Sequence, residues 1–252
     1  MKLRFFRHLL ALCLAVSCSQ ALSRELKIIF AQYTPPYMLD NGGGIVTDIV
    51  KAALEPGGYT VVPMPVAMGR GIELYASNRI DGIAPIRESS GLQSNYSDVF
   101  IQYHNYAFAL KSRNLNIKTL NDLKVNTVIG FQNSSKYLGQ AYAAAVAANP
   151  GYKEMANQET QTLMLLLGRI DVAIMDESIF RYYREKLIAE GKAPRSAEVQ
   201  RFDLFPATEY KCAFADAKIR DEFNRGLATI RANGRYDAIY RKYTEQYFSI
   251  KK

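Results

Sequence analysis

The stretch from Arg24 to Leu54, RELKIIFAQYTPPYMLDNGGGIVTDIVKAAL, constrains the fold more than any other part of the chain. Residues 26–31 form an apolar run of strand length. Tyr33-Thr-Pro-Pro-Tyr37 stops it, because proline has no N–H to give to a sheet ladder. Gly42 to Gly44 allow a tight reversal, after which Ile45, Ile49, Ala52 and Ala53 recur at helical spacing. A strand feeding a helix opens an α/β unit, and ligands of such folds gather beyond the C-terminal ends of the strands. Tyr33 and Tyr37 stand at that end.

The alternation continues. The pattern predicts a strand over 59–63, a helix over 68–77 with Ile72, Leu74 and Tyr75 on its apolar side, and a strand over 80–84. The order βαβαβ through Pro85 implies a parallel sheet with helical crossovers. A strand over 105–111 follows, and then a new α/β unit starts: a short helix over 119–124 capped by Thr119, a strand over 125–131, and a helix over 136–148. Then come a helix over 158–167, a buried strand over 170–175, an amphipathic helix over 177–190, and strands over 199–204 and 209–214. Helices over 216–232 and 234–248, parted by Asn233-Gly234, close the chain.

The N-terminus sets the compartment. Lys2, Arg4 and Arg7 precede an apolar run over 9–16 that is too short to span a bilayer, and Ser19-Gln20-Ala21 is a small-x-small cleavage site. Residues 1–21 are therefore expected to be a secretory signal peptide; a lipoprotein anchored at Cys18, in Ala15-Val16-Ser17-Cys18, is the alternative. Cleavage leaves 231 residues, with 29 of the 32 basic residues against 24 acidic ones, a net charge of +5. That mild, dispersed balance suits an anionic ligand and argues against nucleic acid. Cys212 becomes the sole cysteine and His104 the sole histidine, so no disulfide and no zinc site of His and Cys ligands is expected. No Gly-x-Ser-x-Gly elbow is present, and no cofactor is implied.

Two positions carry recognisable chemistry without any analogy. Gln132-Asn-Ser-Ser135 precedes a helix, and a helix start exposes amides that favour an anion. Ser134 and Ser135 are thus caps and candidate ligand contacts. Asp176 ends the run Gly168-Arg-Ile-Asp-Val-Ala-Ile-Met-Asp176 just before a helix, where an acid reads as an N-cap. Asp171, at the turn into that strand, reads as structural.

The aromatic-Pro-Pro-aromatic corner with its Gly turn, the Asn78-Arg-Ile-Asp-Gly-Ile83 turn, Tyr96-Ser97-Asp98, the Asp176 strand and the closing Ile-x-x-Asn-Gly-x-Tyr helices resemble the bacterial solute-binding proteins of the polar amino-acid type, family 3. The resemblance spans nearly all of the expected mature chain. It implies a two-lobed α/β fold, the type II periplasmic-binding-protein fold, with two crossover hinge strands and a ligand cleft between the lobes. Lobe 1 is expected at 22–107 and 213–252, and lobe 2 at 108–212. The implied ligand contacts are stacking by Tyr33 and Tyr37, amides at Ser134 and Ser135, and an ammonium partner in Asp176. One departure stands out: the family's Thr-x-x-Arg is here Ser90-Gly-Leu-Gln93, and the candidates to replace the carboxylate-gripping arginine are Arg87 on the same loop and Arg70 at the start of the second helix. The implied function is capture of a small polar ligand, an amino acid or related carboxylate or amine, by a monomer serving an inner-membrane ABC permease. The alternatives are a cyclohexadienyl dehydratase on the same scaffold, with Glu88 as its acid, and a sensor module without a transporter.

Overall fold

A computed structural model describes residues 24–77 and 80–248 of the chain. The leader expected at residues 1–21, Cys18 included, lies outside these residues, as does the turn at 78–79. The first half begins with β1 (Arg24–Phe30), α1 (Ile45–Leu54), β2 (Tyr59–Pro65), α2 (Met68–Ala76) and β3 (Gly82–Ile86). β2 and β3 flank β1, both parallel to it, as the βαβαβ order demands. β3 is buried along its whole length, as a strand covered on both faces should be. The short strands β4 (Asn95–Tyr96) and β5 (Ile101–Tyr103) follow.

The second unit contains β6 (Asn105–Leu110), β7 (Val128–Phe131), α3 (Ser134–Tyr137), α4 (Gln140–Ala147), β8 (Tyr152–Met155), α5 (Gln158–Leu166), β9 (Val172–Asp176), α6 (Glu177–Ala189) and β10 (Val199–Phe202). Its sheet runs β10-β6-β9-β7-β8. The chain then returns as β11 (Thr208–Phe214), which joins the first sheet in the order β2-β1-β3-β11-β4, with β5 also on β11. α7 (Ala217–Ala232) and α8 (Arg235–Phe248) close the chain, both on α1. α7 lies so close that a side chain at Gly226 would meet the Ala53 carbonyl oxygen at 1.8 Å. α8 also packs against α6 of the second unit.

The sheets exchange partners at two places. β5 pairs with β11, and β6 pairs with β9 from Asn105 onward, so the first crossing is at His104. The return crossing lies between Phe202 of β10 and Thr208 of β11. The divisions expected at 107/108 and 212/213 fall inside β6 and β11, because each strand keeps one sheet's partners along its length. The ring of His104 ties the crossings together: its Nε2 lies 3.0 Å from the Phe205 carbonyl and 3.2 Å from Asp203 Oδ1.

One helix expected over 136–148 is two. Gly139 sits at φ 94°, a left-handed value that favours glycine, and it separates α3 from α4. β8 was not expected; its burial is half-hearted, with Lys153 and Glu154 exposed, so it lacks the apolar run that marks an interior strand.

Candidate functional site

The opening corner positions the site. Gly44, at φ 122°, turns the chain so that the amides of Ile45 and Val46 donate to the carbonyls of Pro36 and Tyr37, at 3.1 and 3.0 Å. The corner itself thereby satisfies the free amides at the start of α1. A side chain at Gly44 would meet the Tyr37 carbonyl oxygen at 2.3 Å. Tyr243 of α8 donates to Asp48 at 2.6 Å and accepts from the Gly44 amide at 3.0 Å, fastening the corner from behind.

A cavity of about 480 Å³ opens between the sheets, within the range of small-molecule sites. It lies past the C-terminal ends of parallel strands: Ala31 follows β1, Arg87 follows β3, Phe131 ends β7 and Asp176 ends β9. A second recess of about 580 Å³ shares Arg87, Ser89 and Tyr137 with it and runs against residues 205–209. The strand ends belong to the first cavity, and we take that one as the candidate site.

Asp176 is buried to 3% exposure at the end of a strand buried at all five positions. Its Oδ1 accepts from the amides of Ser178 at 2.8 Å and Ile179 at 3.1 Å, and from the Tyr37 hydroxyl at 3.0 Å. Its Oδ2 accepts from the His104 amide at 2.9 Å. It is therefore the N-cap of α6 and a wall of the cavity at once. Burial pushes its carboxyl up to about 6, against the pull of four donors.

The tyrosines of the corner sit differently from the expectation. Tyr37 is 2% exposed, stacks on Tyr103 with ring centroids 4.0 Å apart, and reaches Asp176 across the sheets. It braces the wall and does not line the cavity. Tyr33 is exposed, with its hydroxyl 3.3 Å from that of Tyr182 on α6. The rings that line the cavity are Tyr103, Phe131, Tyr137 and Tyr210. Phe131 ends the parallel strand β7, so the rule that singled out Tyr33, applied to every strand, finds it. Tyr103 and Tyr210 lie on strands that meet at the crossings, which only the pairing of β5 with β11 brings together.

The serine turn is a second correction. Glu154 of β8 reaches the start of α3 first. Its carboxylate accepts from the amides of Asn133 at 2.7 Å and Ser135 at 2.9 Å, and from the hydroxyls of Ser135 at 2.6 Å and Tyr152 at 2.8 Å. Burial raises the Glu154 carboxyl, but these donors outweigh it and hold it down at about 2. Ser134 is fully buried, with its hydroxyl 2.8 Å from that of Tyr152. The anion predicted at this helix start is thus the protein's own, and Lys136, one residue further, lines the cavity instead.

Of the two arginines, Arg87 lines the cavity and Arg70 does not. Met68 and Ile72 of α2 do, and residues four apart share a helix face, so Arg70 between them points away, exposed. Glu88 is exposed, pairs with Lys211 at 2.5 Å, and lines the second recess rather than the candidate cavity, so it is not placed to act as an acid there. Cys212 is free and buried in β11, its amide bonded to Ser97 Oγ at 2.9 Å.

Comparison with known proteins agrees with this architecture. The pattern of the bacterial extracellular solute-binding proteins, family 3, matches residues 26–246. The arginine-binding extracellular protein ArtP of Bacillus subtilis is 23% identical over 215 residues, covering 81% of this chain and 78% of its own. An ancestral arginine-binding protein bound to arginine superposes with a TM-score of 0.67 at 23% identity, over 88% of this chain and 99% of that one. An ancestral amino-acid-binding protein described as a precursor of cyclohexadienyl dehydratase does so at 0.65 and 20% identity, over 87% and 95%. The fold is the two-lobed type II periplasmic-binding-protein fold, and the chain belongs to the bacterial extracellular solute-binding proteins, family 3.

Proposed function

We propose that this protein captures a small polar solute, an amino acid or a related small carboxylate or amine, and presents it to an inner-membrane ABC permease. One observation carries the reading: in a chain matched by the family over 26–246, Arg87 after the first sheet and Asp176 in the second line a single cavity between two crossings. The lobes are residues 24–103 with 208–248, and residues 105–202; the crossings at His104 and 203–207 are the hinge. Solute held by both lobes favours the closed form, which the permease reads. The protein works as a monomer, exported with its leader removed after Ala21. The family membership and the basic, apolar and small-residue order of residues 1–21 support that location.

The test is a thermal-shift screen of the protein purified from periplasm, against the standard amino acids and short mono- and dicarboxylates. A solute at one hundred times its Kd adds about 2.7 kcal/mol to stability. The expected result is a clear rise in melting temperature with at least one of them, and recovery of that solute unchanged after incubation. No shift across the panel would overturn solute capture, and turnover of a bound compound would favour the dehydratase alternative.

A further inference from the structure

The charged lining of the cavity bears on the charge of its solute. Three charged side chains line it: Arg87, Lys136 and Asp176. Arg87 belongs to the loop after β3 and Lys136 to α3, so the two cations stand on opposite lobes. Among the described residues neither forms an ion pair or a side-chain hydrogen bond. The acids on the neighbouring elements are engaged elsewhere. Glu88 pairs with Lys211, Glu159 with Lys186, and Glu154 takes the amides of Asn133 and Ser135.

Among the described residues Asp176 is the sole acid in the lining, and it is already furnished with donors. Oδ1 accepts three hydrogen bonds and Oδ2 one, which leaves little acceptor capacity for a cation. Its burial also weakens its negative charge. A further donor awaits an acceptor: the hydroxyl of Tyr103, a cavity-lining ring, is buried without a hydrogen-bond partner among the described residues. The arrangement sets two cations against one carboxylate; the rest of its polar lining, Thr34, Ser89, Ser90, Asn105, Gln132 and Gln158, is neutral. A guanidinium or ammonium side chain on the solute would find no second carboxylate to meet it.

Resting on the solute-binding reading, we infer that the solute is a small dianion-forming molecule, two carboxylates on a short skeleton, one gripped by Arg87 and the other by Lys136. The charges balance in either of two ways. With Asp176 ionised the lining sums to +1, which an acidic amino acid with its single net negative charge neutralises. With Asp176 protonated it sums to +2, which a plain dicarboxylate neutralises. A neutral amino acid leaves one positive charge uncompensated, and a cationic one adds to it. A solute joined to both lobes through opposite cations would also draw them together, which links its charge to closure.

Titration calorimetry with L-glutamate, glutarate, L-glutamine and L-arginine tests the inference, because L-glutamine differs from L-glutamate by one uncharged amide and glutarate by the missing amine. The expected result is that L-glutamate or glutarate binds at least about tenfold tighter than L-glutamine and L-arginine, roughly 1.4 kcal/mol or more. Which of the two wins identifies the source of the carboxylate pair. Lys136→Gln, at an exposed side chain whose loss should leave the fold intact, is expected to bring L-glutamate within about threefold of L-glutamine. L-arginine or L-glutamine binding as tightly as both dicarboxylates overturns the inference and leaves solute capture standing. So does discrimination that survives both Lys136→Gln and Arg87→Gln. Failure of these probes and of every compound in the thermal screen overturns solute capture itself.

Discussion

At Asp176 the helix-capping and cleft-lining roles fall on one carboxylate, and this changes what a substitution there measures. Asparagine can keep one oxygen for the Ser178 and Ile179 amides and the Tyr37 hydroxyl. Its amide nitrogen then faces the His104 N–H, donor against donor. Asp176→Asn is therefore expected to lose about 1–3 kcal/mol of stability from the buried unsatisfied donor, along with any contact to solute. The sign of its pH dependence is set by burial. The carboxyl titrates at about 6 in the folded protein against 3.8 ordinarily, so the fold holds the proton more tightly than the unfolded chain. Its contribution is fully present below about pH 3.8 and is lost as pH rises through about 6, by on the order of 3 kcal/mol. Urea unfolding at pH 4.5 and 7 should show about two thirds of this loss, roughly 2 kcal/mol, in wild type and its absence in Asp176→Asn. An identical pH difference in both proteins would show that Asp176 titrates normally.

At the scale of elements, two helix starts are built by groups outside the helix itself. The start of α3 rests on Glu154. That carboxyl is held at about 2 against an ordinary 4.5, so its support is present above pH 4.5 and is lost as pH falls toward 2. Glu154→Gln should cost about 1–2 kcal/mol through weakened amide and hydroxyl acceptance, and it should flatten the acid limb of the stability profile. A variant as stable as wild type at pH 7 would show that the contact is incidental. The start of α1 rests on the turn at Gly44. Gly42 and Gly44 both have positive φ, but a side chain at Gly42 meets nothing within 4 Å, whereas one at Gly44 would overlap the Tyr37 carbonyl at 2.3 Å. Gly42→Ala should cost about 1–2 kcal/mol, the price of the left-handed backbone alone. Gly44→Ala should cost clearly more, and because it displaces Tyr37 from Asp176 it should also weaken solute binding. Equal melting temperatures for the two variants would remove the steric account.

At the scale of the whole molecule, two kinds of contact already join the lobes across the cleft. Tyr37 bonds Asp176, Tyr33 meets Tyr182, and α8 packs on both α1 and α6. The Arg87 loop and α3, which line the cavity from opposite lobes, have no such bond between them among the described residues. Closure should then swing the Arg87 loop and α3 toward each other about the crossings at His104 and 203–207. Small-angle scattering should report a smaller radius of gyration once a solute found in the thermal screen is at saturation. An unchanged radius would mean that the solute binds to lobes already in their final positions.

Much of this was legible along the chain. Periodicity located nearly every helix and interior strand, because a buried strand or an amphipathic helix must carry its apolar residues at the spacing of its own geometry. The position of Asp176 between a strand and a helix marked it as a cap for a similarly local reason, whereas the Arg87 loop came from the resemblance to the family. What the chain could not disclose was partnership across distance. Glu154 is an exposed residue on an edge strand, and nothing near it in sequence tells that it takes the amides of Asn133 and Ser135. Tyr37 carries the signature of a cleft aromatic, yet Tyr103, far along the chain, covers its face and Asp176 takes its hydroxyl. Arg70 and Arg87 were equal candidates until helix rotation turned one outward and the loop turned the other inward. Local pattern determines elements because their hydrogen bonds and burial repeat over a few residues. Which polar group is left free for a solute depends on every other group that could reach it first, and only the tertiary structure decides that.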